Sequence, residues 1–245
     1  MKKKIIIGIL AAAAVIVVGI IAHVVYENTQ YADPFTPDNS DTILTVPSVP
    51  THPCSESAES FGLYWDKPII YLYPEETTKV TVCLGKPENI TCSYPEYKNG
   101  WDVIANPDGT LIDTNTGRKL YALYWEGIQS EPIPLEDGFV VKGSDTIKFL
   151  EEKLAILGLT ETEAEEFIVY WLPKLQGNKY NYIRFATIEE INENMPLRFS
   201  VEPDTIIRIL MQYKALDHDT EVKEQTLEAP ERRGYVVVEW GGMRF

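Results

Sequence analysis

Histidine and cysteine are scarce, three of each in 245 residues, and that scarcity removes most of the catalytic chemistry such a chain could carry. His23 lies in an apolar run and His52 among prolines, so His218 alone belongs to the segment that follows. No HExxH, GxSxG, CxxC or GxxxxGK[ST] pattern occurs. Zinc proteases, common serine hydrolases, thioredoxin-like redox enzymes and P-loop enzymes therefore lack the residues their mechanisms use. Positive charge is also short: beyond residue 25 there are 19 bases against 37 acids, a net charge of −18. Such a surface has no footprint for nucleic acid or anionic lipid, while cations, basic surfaces and neutral glycans remain compatible partners. No cofactor is expected. Asp217, His218 and Asp219 in LDHDTE are the candidate cation ligands, although a polar turn between two strands accounts for the same residues.

Charge is absent altogether from Ile5 to Val25, 21 residues interrupted only by His23. At about 1.5 Å per residue such a helix covers roughly 30 Å, the thickness of a bilayer core. A cleaved signal would have a shorter apolar region and a small-x-small exit, and Ala22-His23-Val24 fits that poorly. The reading is a retained anchor over residues 1–26. Lys2, Lys3 and Lys4 precede the span while Glu27 and Asp33 follow it, which places the N-terminus in the cytoplasm of a single-pass cell-membrane protein and the rest outside. Residues 27–61 carry Pro34, Pro37, Pro47, Pro50 and Pro53 among polar residues without periodicity, the composition of a disordered, extracellular stalk. A head follows over 62–245, large enough for one core or two packed halves, 62–142 rich in strands and 143–245 mixing helices and strands.

Outside a membrane disulfides are permitted, and Cys83 and Cys92 flank LGKPENIT, a segment of hairpin-loop composition. They are the candidate pair, with two free thiols as the alternative; Cys54 is left over.

In the head, PIIYLY, KVTVCL and WDVIA are apolar and β-branched, and Asn106-Pro107-Asp108-Gly109 supplies a strong turn. The stretch KLYALYWEG continues the strands. SDTIKFLEEKLAILG has one apolar face, with Ser144 as its cap and Gly158 as its stop, and Thr160 with Glu163 forms a capping box for a second helix that Pro173 should kink or end. KYNYIRFA, LRFSV, TIIRILMQY, EVKEQTL and GYVVVEW read as strands and TIEEINENM as a short helix. The class is α+β, two or three helices on a largely antiparallel sheet.

Two stretches share a grammar. LYWEG (123–127) and VEWGG (238–242) each place a tryptophan beside a glutamate and close on glycine. Glu126 and Glu239, with Asp66 in WDKP, are candidates for the paired carboxylates of a cell-wall hydrolase, which needs two carboxyl groups about 5–10 Å apart in one cleft. Strand alternation offers a plainer reading: if Trp125 and Trp240 are buried, their glutamates point away from that core, and the glycines release the chain into turns. Trp65, Trp101, Trp125 and Trp240, in a head crowded with tyrosine, are candidates for stacking on sugar rings or anchoring a peptide, and equally for a β-sheet core. The leading expectation is a surface protein that binds or organises an envelope glycan or peptide.

WDKPIIYLYPEE, YPEYKNGWDVIANPDGTL, LYWEG, EEFIVYWLP and PERRGYVVVEWGG, in that order, resemble an uncharacterised family of exported bacterial proteins, often tethered by an N-terminal helix or lipid. The likeness runs from about Trp65 to Gly242. It implies surface localisation and one integral head, and it brings no catalytic residue with it.

Overall fold

A computed structural model describes residues 63–129 and 136–245. The apolar run 5–25, the Pro-rich segment and Cys54 lie outside them, and among the described residues no helix is long and apolar enough to cross a membrane. The strands are β1 (Tyr64–Tyr73), β2 (Thr78–Leu84), β3 (Ile90–Tyr94), β4 (Trp101–Ala105), β5 (Leu111–Asp113), β6 (Lys119–Leu120), β7 (Leu123–Ile128), β8 (Phe139–Lys142), β9 (Tyr180–Phe185), β10 (Leu197–Phe199), β11 (Thr205–Leu216) and β12 (Val236–Arg244). The helices are α1 (Thr146–Ile156), α2 (Glu161–Leu175) and α3 (Ile188–Asn194).

Seven strands form one sheet in the order β3-β7-β1-β12-β11-β9-β8, and five form a second in the order β10-β2-β4-β5-β6. Every pairing is antiparallel except β11 with β12. The class is α+β with a mixed sheet. A parallel pair needs a long return, supplied here by residues 217–235, which hold one isolated bridge, Gly138 to Glu224, and no helix. EVKEQTL, expected as a strand, belongs to this return. Two side chains pin it: the Gln225 amide hydrogen-bonds both the N–H and the C=O of Phe185, and Arg232 forks onto Glu163.

The middle of the large sheet, β1, β12 and β11, is buried on both faces. Trp65, Ile70 and Leu72 of β1, Leu123 and Trp125 of β7, and Val237 of β12 pack against Val80, Val82, Trp101 and Val103 of the small sheet, with Ile191 of α3 closing the layer. On the other face Ile183, Ile207, Ile209, Val238 and Trp240 meet Leu150 and Leu154 of α1 and Phe167, Trp171 and Leu175 of α2. Each fully buried side chain of this size stabilises the fold by about 1.5–3 kcal/mol. The two sequence halves are interlaced, because the large sheet takes β1, β3, β7 and β8 from one and β9, β11 and β12 from the other.

Local expectations meet mixed outcomes. The Thr160 and Glu163 capping box forms, and Thr187 with Glu190 makes a second one on α3. Ser144 caps nothing; it sits in a 3-10 turn before α1 and bonds Asp145. Pro173 lies inside α2, which runs on to Leu175. The carbonyl it leaves unbonded, four residues back, belongs to Val169, which is exposed, so water can satisfy it. KLYALYWEG splits into β6 and β7, while β3 and β8 form from segments without an evident strand pattern.

The bridge expected between Cys83 and Cys92 is not made, and both thiols are free. LGKPENIT is a crossover between sheets: Cys83 is on β2 of the small sheet, opposite Arg198, and Cys92 is on β3 of the large one, opposite Glu126.

Gly127, Gly241 and Gly242 lie within strands and release no turn. Gly241 is needed because Pro68 of β1 crosses at close range: a Cβ there would stand 3.0 Å from the Pro68 Cα. At Gly242 a Cβ would stand 2.6 Å from the Trp171 ring and 2.8 Å from the Met211 carbonyl oxygen, so the missing side chain lets α2 lie directly on the sheet. Gly242→Ala is expected to cost about 1–3 kcal/mol by overpacking. Gly177→Ala, with nothing within 4 Å of the added methyl, should stay within about 0.5 kcal/mol of wild type when both variants are unfolded in urea.

Candidate functional site

The tryptophan-glutamate repeats resolve into two unlike places. In β7, Trp125 faces the inter-sheet core, so Glu126 next to it faces the helix side. In β12, Val238 and Trp240 face the helices, and Glu239 between them faces the inter-sheet layer. There Glu239 accepts hydrogen bonds from Trp125 Nε1 at 2.9 Å and Arg208 Nε at 2.7 Å. Arg208 Nη2 lies 2.6 Å from the same carboxylate, and Nη1 donates to Asn192 Oδ1 at 2.6 Å. The pair is sealed, its side chains 1% and 3% exposed. A hydrolase using Glu126 and Glu239 needs both carboxylates at one substrate, and the sheet stands between them.

The four candidate tryptophans are core residues. Trp65, Trp101, Trp125 and Trp240 are each at most 3% exposed, with Trp65 stacked on Trp125 at 5.2 Å and Trp240 against Phe167 at 5.3 Å, and they present no face to solvent. Asp217, His218 and Asp219 lie in an exposed turn after β11, and among the described residues no group of three His, Cys, Asp or Glu gathers around a metal position.

Asp66, by contrast, joins a cluster. The chain breaks register with both β7 and β12 across Asp66-Lys67-Pro68. Lys67 sits at φ +57°, an uncommon conformation for a residue with a Cβ, so this bulge stores strain where it re-aims Asp66. The Asp66 carboxylate accepts from the Tyr170 hydroxyl and the Lys174 ammonium, and Lys174 Nζ also reaches Tyr170 at 2.9 Å. Lys67 Nζ lies 4.8 Å from the centre of the Tyr170 ring. Burial, then the bond to Asp66 and the charges of Asp66 and Glu126, push the Tyr170 phenol well above its ordinary range, so it donates and stays neutral.

The cluster ends a polar ladder between β1 and α2. Tyr73 bonds Glu163, Tyr71 donates to Glu166, and Asp66 receives Tyr170 and Lys174, so α2 runs antiparallel to β1. Glu166, Tyr170 and Lys174 fall at i, i+4 and i+8, one stripe of the helix. That spacing is visible in EEFIVYWLPK and was the available signal for these residues, obscured by the apolar run around it.

Beyond β1, towards the β3 edge, the helix-side face shows aromatic rings to solvent. Tyr94 pairs with Tyr124 across β3 and β7, Cys92 with Glu126, and Tyr64 of β1 with Ile128. Tyr64, Tyr94 and Tyr121 are 46%, 50% and 60% exposed. Tyr124 is half-buried; burial and hydrogen bonds with Glu126 and Cys92 raise its phenol far above the usual value. A cleft of about 420 Å³ is lined by Ile69, Tyr94, Tyr121 and Tyr124, with Thr110 and Lys119 also in its wall. Tyr121 feels the charge of Glu166 and lies 6.3 Å from Tyr71, which joins the cleft to the ladder. The result is one surface of tyrosine rings interspersed with Asp66, Glu126 and Glu166.

Comparison with known proteins adds little chemistry. No family model matches, and no solved structure matches. The chain is 41% identical over 64 residues to a protein of Butyrivibrio fibrisolvens described as "Uncharacterized protein in bglA 3'region", a match covering 25% of this chain and 65% of that protein, just under two thirds of its length.

Proposed function

We propose that the head is a binding module for a cell-envelope glycan, carried outside the membrane by the apolar run 5–25 and held off it by the Pro-rich segment, as in the tethered family that the sequence blocks resemble. The observation that carries this reading is the exposed tyrosine surface of β1, β3, β7 and the β6–β7 turn, with its cleft between Tyr94, Tyr121 and Tyr124. Tyrosine faces stack on the apolar faces of sugar rings, and Glu126 and Glu166 accept from sugar hydroxyls. The net charge of −18 beyond residue 25 suits a neutral or amino-bearing glycan and repels a phosphate-rich one.

Both Tyr94 and Tyr121 point largely into solvent, so replacing them tests binding without unfolding the head. Retention of the full-length protein on purified envelope polysaccharide is expected to fall about tenfold for Tyr94→Ala or Tyr121→Ala, and further for the double variant. Val169→Ala, on an exposed face of α2, is the control. Equal retention by the double variant, or release of soluble fragments without retention, overturns the reading.

A further inference from the structure

The large sheet contains an unfinished edge in its interior. Strand β9 pairs with β11 only from Met211 opposite Phe185 to Leu216 opposite Tyr180, and the last contact on that line is the Ala186 N–H donating to the Leu210 C=O. The chain then turns at Thr187 into α3. Strand β11 continues upstream through Ile209, Arg208, Ile207 and Ile206 to Thr205, with β12 on one side. Thr205 N–H donates to the Tyr235 C=O, which directs odd-numbered residues towards β12. The main-chain N–H and C=O of Ile206 and Arg208 therefore face the side that β9 has left.

A groove of about 720 Å³ occupies that side. Thr187 and Glu189 line it on the α3 side and Leu227 and Glu228 on the side of the 217–235 return, with Ile206 and Arg208 between. The Arg208 side chain is committed to Glu239 and Asn192, so what this floor offers is main chain. The equivalent gap beyond β8 is treated differently: there the Gln225 amide bonds the Phe185 N–H at 3.0 Å and its C=O at 2.6 Å, taking the place of a strand. No such surrogate stands against Ile206 and Arg208 among the described residues.

We infer that this groove is a second binding site, for an extended peptide that pairs with Ile206 and Arg208 and continues the line β9 leaves at Ala186. Main-chain donors and acceptors alternating along a strand recognise another extended backbone, which a glycan cannot imitate. A free edge of five residues accommodates about four or five residues of guest at roughly 3.4 Å each. Alternate guest side chains meet Leu157 and Leu227, and exposed Glu189 and Glu228 favour lysine or arginine at its ends.

The probe is acetyl-Lys-Val-Thr-Val-Thr-Lys-amide, added to the full-length chain in detergent, with amide exchange followed at single residues. Exchange at Ile206 and Arg208 is expected to slow about tenfold or more, leaving the β3 edge unchanged. The same peptide N-methylated at alternate residues loses its donors and should protect neither amide. Thr226→Trp, at an exposed position in the groove wall, should abolish protection without altering glycan retention. Amides already fully protected without peptide, no slowing at millimolar peptide, or equal slowing by the N-methylated form each overturns the inference.

Discussion

Glu239→Ala is expected to destabilise the head by about 3–5 kcal/mol, a large share of the roughly 5–15 kcal/mol that holds a domain together. The cause is the partner left behind. Arg208 is 1% exposed at its side chain, and without Glu239 its charge would face Trp125 and the inter-sheet core with only Asn192 to bond. Removing both charges is different, since a buried pair replaced by apolar groups is often neutral or better. Arg208→Met with Glu239→Leu is therefore expected to recover most of the loss. Urea unfolding read by tryptophan fluorescence measures both, because Trp125 donates to Glu239 and reports on its removal. A loss below about 1 kcal/mol in the single variant would contradict a sealed pair.

The second large effect lies at the start of α2. Glu163 is 2% exposed and accepts both forks of Arg232, at 2.9 and 3.1 Å, together with the Thr160 N–H at 2.8 Å. Burial pushes its carboxyl up, but the bonds from Arg232, Thr160 and Tyr73 outweigh that and hold it below the ordinary carboxylate range. A depressed acid contributes stability that is complete above its unfolded pKa and disappears as the folded group protonates. Glu163→Gln is expected to cost about 2–3 kcal/mol at neutral pH, less than Glu239→Ala because Arg232 can turn partly to water. The gap between wild type and variant should narrow as pH falls below about 4.3 and close under the depressed folded value. Arg232 also anchors the 217–235 return, so amide exchange there should quicken in the variant. A gap constant from pH 7 to 3 would refute the linkage.

The two capping-box signals show what was legible. Thr160 with Glu163 marks the start of α2 because the cap is local chemistry spelled in four residues. Hydrophobic periodicity likewise located most strands and the α+β class. The partner of each strand was not legible: β11 and β12 lie parallel and adjacent, and nothing within TIIRILMQY or GYVVVEW states a direction. Alternation correctly separated Trp125 from Glu126 and Trp240 from Glu239. It could not say which side was solvent, because this sheet is covered on both faces at β12 and on one face at β7, and so Glu239 proved to be an internal ion and Glu126 part of an accessible surface. Tryptophan was the wrong aromatic to follow for a ligand. Its bulk filled both cores, whereas the tyrosines of β3 and the β6–β7 turn remained at the surface. Asp66 owes its environment to a strained bulge and a helix 104 residues away in sequence, a distance no local window spans.

The place of β12 bears on how this chain can assemble. Without residues 236–244 the large sheet separates into β3-β7-β1 and β11-β9-β8, which share no strand contact. A polypeptide that includes β11 but lacks that segment holds two half-sheets with bare inner borders, each a template for stray pairing. The inner borders of both half-sheets are therefore sheltered by one event, the entry of β12 between β1 and β11.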